Sequence, residues 1–358
     1  MKTIGHISKT FLKISQTFVY RQILDNSWYR HAIFAKKRLN KKVFPIDGLV
    51  LYKEKTDLIH ILKENQVDLI HAHFAPNAIN VLEAKMLLKI PMLTFIHGYD
   101  ATKVPRLKAK NRRNYKLLFE NGDLFAVPSE AILKELLFLG CPANKLVVCR
   151  LGIDLKLFPF QPRTLDGDVI RLISVGRLVE KKGHHHLIEA LSYIRDSVPP
   201  FHLTIIGDGK LKNYLINLTL RHGLQDRVSF LGSVRPPAVL SELQKAHIFC
   251  LASITGRKGD MEGLPVSILE AQATGLPVIS TRHSGIPEAV LDGRSGFLAE
   301  EGNIKELAQK LLDLMNQPKR WTEFGSEGRI RVTEHFDAKK SAEELKGLYD
   351  RLINGTAR

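Results

Sequence analysis

The sequence predicts an α/β protein of two doubly wound domains, each a parallel sheet covered by helices on both faces. Three observations predict it. The chain has 358 residues, more than one ordinary hydrophobic core organises, so about two domains are expected. Apolar runs of strand length alternate with helical periodicity, the pattern of parallel βαβ units. The alternation is interrupted at "LKLFPFQPRTLDGD" (155–168), which holds two prolines, Gly167 and little periodicity, and reads as a linker. The domains are therefore expected at 1–160 and 161–336, followed by an amphipathic segment, 337–358.

Each element follows from its local pattern. In the first half, "VDLIHAHF" (67–74), "PMLTFIHG" (91–98), "DLFAVPS" (123–129) and "KLVVCRLGID" (145–154) are apolar runs ending in polar or small residues, and read as strands. "NAINVLEAKMLLK" (77–89) and "EAILKELLFLG" (130–140) read as helices, the second closed by Gly140. In the second half the strand candidates are "VIRLISVGR" (169–177), "FHLTIIGDG" (201–209), "RVSFLGSV" (227–234), "AHIFCLAS" (246–253) and "LPVISTR" (276–282). Ligands of such sheets sit beyond the carboxyl ends of the strands, and the motifs below fall at such ends.

Composition narrows the class. With 44% hydrophobic residues the chain is globular. Three scattered cysteines give no disulfide framework and no C-x-x-C pair, which predicts a reducing, cytoplasmic compartment. The opening "MKTIGHISKTFLKISQTFVYRQI" lacks the unbroken apolar core of a signal peptide, and no run approaches ~18 apolar residues, so no spanning helix is expected. The net charge is +16, and residues 1–160 carry 26 Lys+Arg against 13 Asp+Glu, with "KKRLNKK" (36–42) and "RLKAKNRRNYK" (106–116) prominent. A basic first half suits an anionic partner such as a membrane surface or a lipid diphosphate. Nucleic acid is not expected, because aromatics do not interleave the charges and no binding module is present.

Three constellations carry chemistry. In "ISVGRLVEKKGHHHLIEAL" (173–191) a strand stops at Gly176, and Arg177 and Lys182 precede a helix, a cation pair suited to a diphosphate. "IIGDGKLK" follows another strand, but Lys212 stands where a dinucleotide fingerprint needs its third glycine; Asp208 is expected to lie on a sharp turn lining a ligand, and no nicotinamide or flavin cofactor is expected. In "DMEGLPVSILEAQATGLPVIS" (260–280), Glu262 and Glu270 stand eight positions apart around Gly263, Leu264 and Pro265. A carboxylate on an apolar helix needs a donor, which a sugar or ribose diol supplies; a solvent-facing Glu270 is the alternative. The third set is His71 and His73 on one strand, with His97 and Asp100 after the next. His71 and His73 share a strand face and are core or surface histidines unless they chelate a metal. His97 and Asp100 read as polar lining of a substrate cleft, and His184–His186 as solvated surface. No metal site is expected.

Taken together, "GRLVEKKG", "IIGDG", "FLGSV" and "EGLPVSILEAQATGLPVISTRHSGIPE" resemble the retaining family 4 glycosyltransferases of GT-B fold, two Rossmann-like domains facing a cleft. "HAHF", "HGYD" and "VPSE" agree more loosely, and "SQTFVYRQI" resembles exopolysaccharide transferases of the colanic-acid or amylovoran kind. The resemblance implies a nucleotide-diphosphate sugar donor, with Arg177 and Lys182 on the diphosphate, Glu262 and the backbone of Gly263 and Leu264 on the sugar hydroxyls, Glu270 on the ribose and the backbone of Val234 on the base. It implies that His97 reaches the transferred sugar and that Ser15 and Gln16 border a saccharide or lipid-linked saccharide acceptor. "ISKTFLKISQTF" departs from the family in having no glycine-rich loop there. Retention on one face of the sugar follows from the family, as does packing of segment 337–358 back onto the first domain. The absence of an Asp-x-Asp motif implies transfer without a metal. The basic first half then implies a peripheral position at the inner face of the membrane. A nucleotide-sugar epimerase of the same architecture is the alternative, distinguished by a free product from donor alone; a basic nucleic-acid-binding protein is a further one. Glu262→Gln is expected to cut transfer at least about tenfold with little effect on folding, since size is kept.

Overall fold

The computed structural model describes residues 1–355. The chain forms two compact units. The first comprises Met1–Gly152 together with the C-terminal helix Ala338–Gly355, and the second Ile153–Asp337.

The first unit contains a seven-stranded parallel sheet. Its strands are β1 (Thr3–Phe11), β2 (Arg30–Arg38), β3 (Leu49–Leu51), β4 (Leu69–His73), β5 (Met92–Phe95), β6 (Leu124–Val127) and β7 (Leu146–Val148), in spatial order β3-β2-β1-β4-β5-β6-β7. Every residue of β4, β5 and β6 is buried, as expected of strands covered on both faces. One face packs Ile7, Phe34, Ile70 and Ala72 against Leu58, Ala78 and Val81 of the helices Asp57–Glu64 and Ala75–Leu88. A smaller cluster, including Phe11, Ile33 and Ala35, packs on Val19 and Ile23 of the helix Thr17–Leu24. The helix Ala338–Gly355 packs on β4 and β5, with Tyr349 fully buried and hydrogen-bonded to His71. Its amphipathic pattern thus buries one stripe in this unit.

The second unit contains a six-stranded parallel sheet: β8 (Ile170–Val175), β9 (Phe201–Ile206), β10 (Val228–Gly232), β11 (Ile248–Leu251), β12 (Val278–Thr281) and β13 (Gly296–Ala299), in order β10-β9-β8-β11-β12-β13. The order reverses between β8 and β11, the switch point at which doubly wound sheets bind ligands. Its two faces are covered by separate apolar clusters, one around Leu187, Leu191 and Trp321, the other around Leu269, Val332 and Phe336.

Two sequence expectations are corrected here. The segment 155–168 is no free linker. It lies in the second unit and is tied down along its length: buried Arg163 donates to the carbonyls of Gln244 and Thr274 at 2.6 Å each, and Arg329 donates to the Phe158 carbonyl. Prolines remove amide donors from this strap, and arginine side chains take their place. The run His184–His186 is not solvated surface. It opens the helix His184–Ile194, and His184 is buried, because the preceding Gly183 lies directly against the loop after β11.

Candidate functional site

The chemistry of the second unit gathers at the carboxyl ends of its strands. Arg177 follows β8, Asp208 follows β9, Val234 follows β10, and His283 follows β12. The loops after β8 and β11 flank the switch point and lock together. A Cβ at Gly183, which has φ 62°, would lie 1.6 Å from the Ala252 carbonyl oxygen, and the Ile254 amide donates to the Lys181 carbonyl. Only glycine allows this approach. Gly207, at φ 144°, is similarly constrained, since a Cβ there would lie 1.9 Å from the Gly176 carbonyl oxygen.

From these loops come the opposite charges. Lys182 Nζ donates to Glu262 Oε2 at 3.1 Å, and Lys181 Nζ lies 3.4 Å from Glu262 Oε1 and 3.0 Å from Asp260 Oδ1. Lys182 and Glu262 are only 8% and 9% exposed, so the ions are withdrawn from water. Burial alone would raise the carboxyl of Glu262, but Lys182 and Lys181 override it and hold it down at about 2. Burial pulls Lys182 down, against the field of Glu262. Arg177 is exposed, lies close enough to act electrostatically on both, and its guanidinium makes no hydrogen bond or ion pair among the described residues.

Glu262 is further positioned through its backbone. Its amide donates to His283 Nε2 at 3.1 Å. That nitrogen must therefore be bare, which places the proton on Nδ1, and Nδ1 donates to Glu301 at 2.8 Å. Ser284 Oγ donates to the Glu262 carbonyl. Gly263, Leu264 and Pro265 lead into the helix Val266–Ala273, whose amino end has no side-chain cap. Glu270 lies in this helix. Its carboxyl is raised to about 7 by burial and accepts no hydrogen bond among the described residues. Asp208 is exposed, and its carboxylate closes its own turn by accepting from the Gly209 amide. Val234 packs on the apolar cluster of one sheet face.

In the first unit, His97 follows β5. Its ring contacts Phe18, Phe74 and Phe95, each with centroids 4.6 Å apart, and neither ring nitrogen makes a hydrogen bond. Burial, then the neighbouring His73, hold it well below the usual imidazole range, so the ring is neutral. Asp100 does not line a surface. It is fully buried, with its carboxylate accepting from the amides of Ala75, His97 and Gly98; burial raises it to about 6 against these donors. A buried carboxylate without a counter-ion is retained where amides satisfy it, so Asp100 shapes the turn that carries His97. Ser15 is exposed on the loop before the helix Thr17–Leu24, and Gln16 closes that loop by accepting from the Lys13 amide at 2.8 Å.

Lys181, Asp260, His283 and Glu301 were not singled out from sequence. The Lys181–Lys182 doublet is the one signal that could have flagged the first of them. His283 and Glu301 carry no signal, because their partner lies on another loop.

Two parallel-sheet Rossmann-like units of this kind make up the GT-B fold. Residues 159–331 match the model of glycosyl transferases group 1, and residues 29–157 that of glycosyltransferase family 4. The chain is 36% identical over 248 residues to WcaL of Escherichia coli, whose name places it in colanic acid biosynthesis as a glycosyltransferase; the match covers 69% of this chain and 61% of the relative. It is 34% identical over 284 residues to the amylovoran biosynthesis glycosyltransferase AmsK of Erwinia amylovora, covering 79% and 70%. The chain therefore spans about three fifths of the length of WcaL. The fold matches that of HepE from Anabaena, solved in complex with UDP, with a TM-score of 0.82 and 20% identity over 98% of this chain and 100% of that one. The chain belongs to the family 4 glycosyltransferases.

Proposed function

We propose that the chain is a retaining glycosyltransferase that moves a sugar from a nucleotide-diphosphate sugar to a saccharide acceptor in polysaccharide biosynthesis. The observation that carries this reading is the switch-point cluster of exposed Arg177 beside the buried Lys182–Glu262 pair. AmsK and WcaL, named for exopolysaccharide assembly, support the process, and the HepE complexes with UDP and with UDP and glucose support the donor class.

The roles follow from the chemistry. Negative charge grows on the leaving diphosphate as the sugar–phosphate bond breaks, so fixed cations interact more strongly with the transition state than with the ground state. Arg177 and Lys182 supply them, without a metal at the diphosphate. Glu262, held ionised, accepts from sugar hydroxyls, with the amides of Gly263 and Leu264 beside it. Glu270 accepts from the ribose, and the backbone of Val234 meets the base. His97, neutral and without a partner on its ring, is suited to a sugar hydroxyl. Ser15 and Gln16 border the acceptor. Departure and attack on the same face retain the anomeric configuration, with the leaving phosphate taking the acceptor's proton.

A thermal-shift and calorimetric panel of nucleoside diphosphates and their sugars tests the reading, because a ligand of the native state raises its stability. Saturable binding of at least one diphosphate is expected; no shift and no heat across the panel overturns it. Arg177→Ala is expected to weaken that binding about tenfold to a hundredfold, the worth of one charge-assisted hydrogen bond, with the melting temperature of the free protein unchanged.

We further propose a lipid-linked acceptor and a peripheral seat on an anionic, cytoplasmic membrane face. Among the described residues no helix is long and apolar enough to cross a membrane. Lys108, Lys110, Arg112, Arg113 and Lys116, at and along the helix Ala109–Asn121, are exposed together with Leu107 and Leu117. Each cation near such a surface contributes about 1 kcal/mol. Co-sedimentation with phosphatidylserine vesicles at low salt is expected, with release by high salt; no co-sedimentation removes the membrane part of the proposal.

A further inference from the structure

The sheet of the first unit brings together histidines that are far apart in sequence. β1 lies between β2 and β4. His6 on β1 is in register with His71 on β4, and His73 is two residues further along the same face. His31 lies on β2, two residues before Ile33, which is in register with His6. All of His6, His71 and His73 are buried, and one ring nitrogen of each lies within 4.8 Å of those of the other two.

The hydrogen bonds around the cluster fix its tautomers. His31 Nε2 faces the Asn26 carbonyl at 2.7 Å, and a carbonyl only accepts, so the proton of neutral His31 is on Nε2. Its Nδ1 is then bare and accepts from His6 Nε2 at 2.8 Å. His6 Nδ1 is consequently bare, and it lies 3.0 Å from His73 Nε2. His71 is held through Nδ1, 2.6 Å from the Tyr349 hydroxyl, while its Nε2 has no partner. Nor has His73 Nδ1. A buried polar atom left without a partner costs about 1–3 kcal/mol, and an ion held by His6 Nδ1 and His73 Nε2 would give His71 Nε2 the partner it lacks.

We propose that His6, His71 and His73 form a binding site for a divalent ion of the zinc class, a structural clasp between β1 and β4 that no step of sugar transfer requires. Imidazole suits zinc and its neighbours in the transition series. Nitrogens around a tetrahedral ion at ~2.0–2.1 Å stand roughly 3.3 Å apart, close to the His6–His73 separation. Metal-bound histidines are held in place by a partner on their other nitrogen. His6 has that partner in the chain to His31 and Asn26, and His71 has it in Tyr349. The ligands come from two non-consecutive strands, and one support comes from the C-terminal helix, so binding ties together parts of this unit distant in sequence. The inference does not depend on the donor or acceptor.

The test is metal content of the full chain. After dialysis against zinc and then metal-free buffer, elemental analysis is expected to find one zinc per chain. Titration of the metal-free protein with cobalt is expected to give the intense visible absorption of a tetrahedral site, saturating at one equivalent. His73→Gln abolishes both, and Tyr349→Phe weakens zinc affinity about tenfold to a hundredfold. A His184→Gln/His185→Gln variant keeps them. Should His73→Gln fail to fold, His73→Cys provides the second measurement, because a ligating thiolate adds a charge-transfer band to the cobalt spectrum. No retained zinc and no cobalt absorption in the native chain overturns the proposal and leaves the cluster a hydrogen-bonded core. Binding that survives His73→Gln but is lost with His184 and His185 overturns it equally.

Discussion

Glu262→Gln is expected to destabilise the second unit by about 3–5 kcal/mol, the usual consequence of removing one partner from a buried ion cluster. Two ammonium groups, Lys182 at 3.1 Å and Lys181 at 3.4 Å, lose their shared counter-ion, and Lys182 has little water to replace it. This revises the expectation from sequence that folding would be nearly unaffected, which rested on side-chain size alone. Urea denaturation at neutral pH measures the loss. Lys182→Met combined with Glu262→Gln should cost less than the two single changes added together, with a coupling of at least about 1 kcal/mol. The pH dependence has a definite sign. The carboxyl sits at about 2 in the folded chain against an ordinary 4.5, so as pH falls the unfolded chain takes up the proton first. The stabilisation is complete above about 4.5 and is lost as pH falls towards 2. The gap between wild type and variant should close over that window. An unchanged urea midpoint at neutral pH would show that the cluster contributes nothing to stability.

What could be read from sequence tracks how local the physics is. β4, β5, β6 and β11 are short apolar runs covered on both faces, and their residues announce them. β1 and β2 do not: "GHISK" and "AKK" put polar and charged residues into strands, and the burial of His6 and Ser8 makes sense only once β4 is beside β1. The histidine cluster was half visible, as His71 and His73, because residues two apart on one strand share a face. His6 and His31 join through the order β2-β1-β4, which is a property of the sheet. Around the switch point, Arg177, Lys182 and the two glutamates were legible as a pattern tied to strand ends. The Lys181–Glu262 contact and the His283–Glu301 support were not, since each links loops about eighty or twenty residues apart. Asp100 shows the opposite error: a polar residue beside His97 looked like a ligand contact, and three backbone amides claim it instead.

Glu270→Gln is expected to stabilise the free protein while weakening its hold on nucleotide. The folded carboxyl sits at about 7, pushed up by burial from 4.5. Between those values the folded chain keeps a proton that the unfolded chain has released, so stability falls as pH rises from about 4.5 to 7. The full loss, reached above pH 7, is at most about 3 kcal/mol, and less to the extent that water reaches the partly exposed carboxylate. Glutamine carries no such charge, so the variant should be more stable than wild type at pH 8 and nearly equal to it at pH 4.5, as urea midpoints at both pH values will show. Binding responds in the opposite sense. If ribose hydroxyls donate to this carboxylate, they favour its charged form, so nucleotide affinity rises through pH 6–8 and binding releases a proton, measurable by calorimetry in buffers of different ionisation enthalpy. The variant should lose about tenfold to a hundredfold in affinity, the worth of hydrogen bonds to a charged group, together with the pH dependence. Equal midpoints at both pH values would remove the burial argument. A stability gain without loss of nucleotide would keep that argument and remove the ribose contact, leaving Glu270 a strained acid with another purpose. Both effects together would mark Glu270 as a place where the fold gives up stability for binding, as functional sites commonly do.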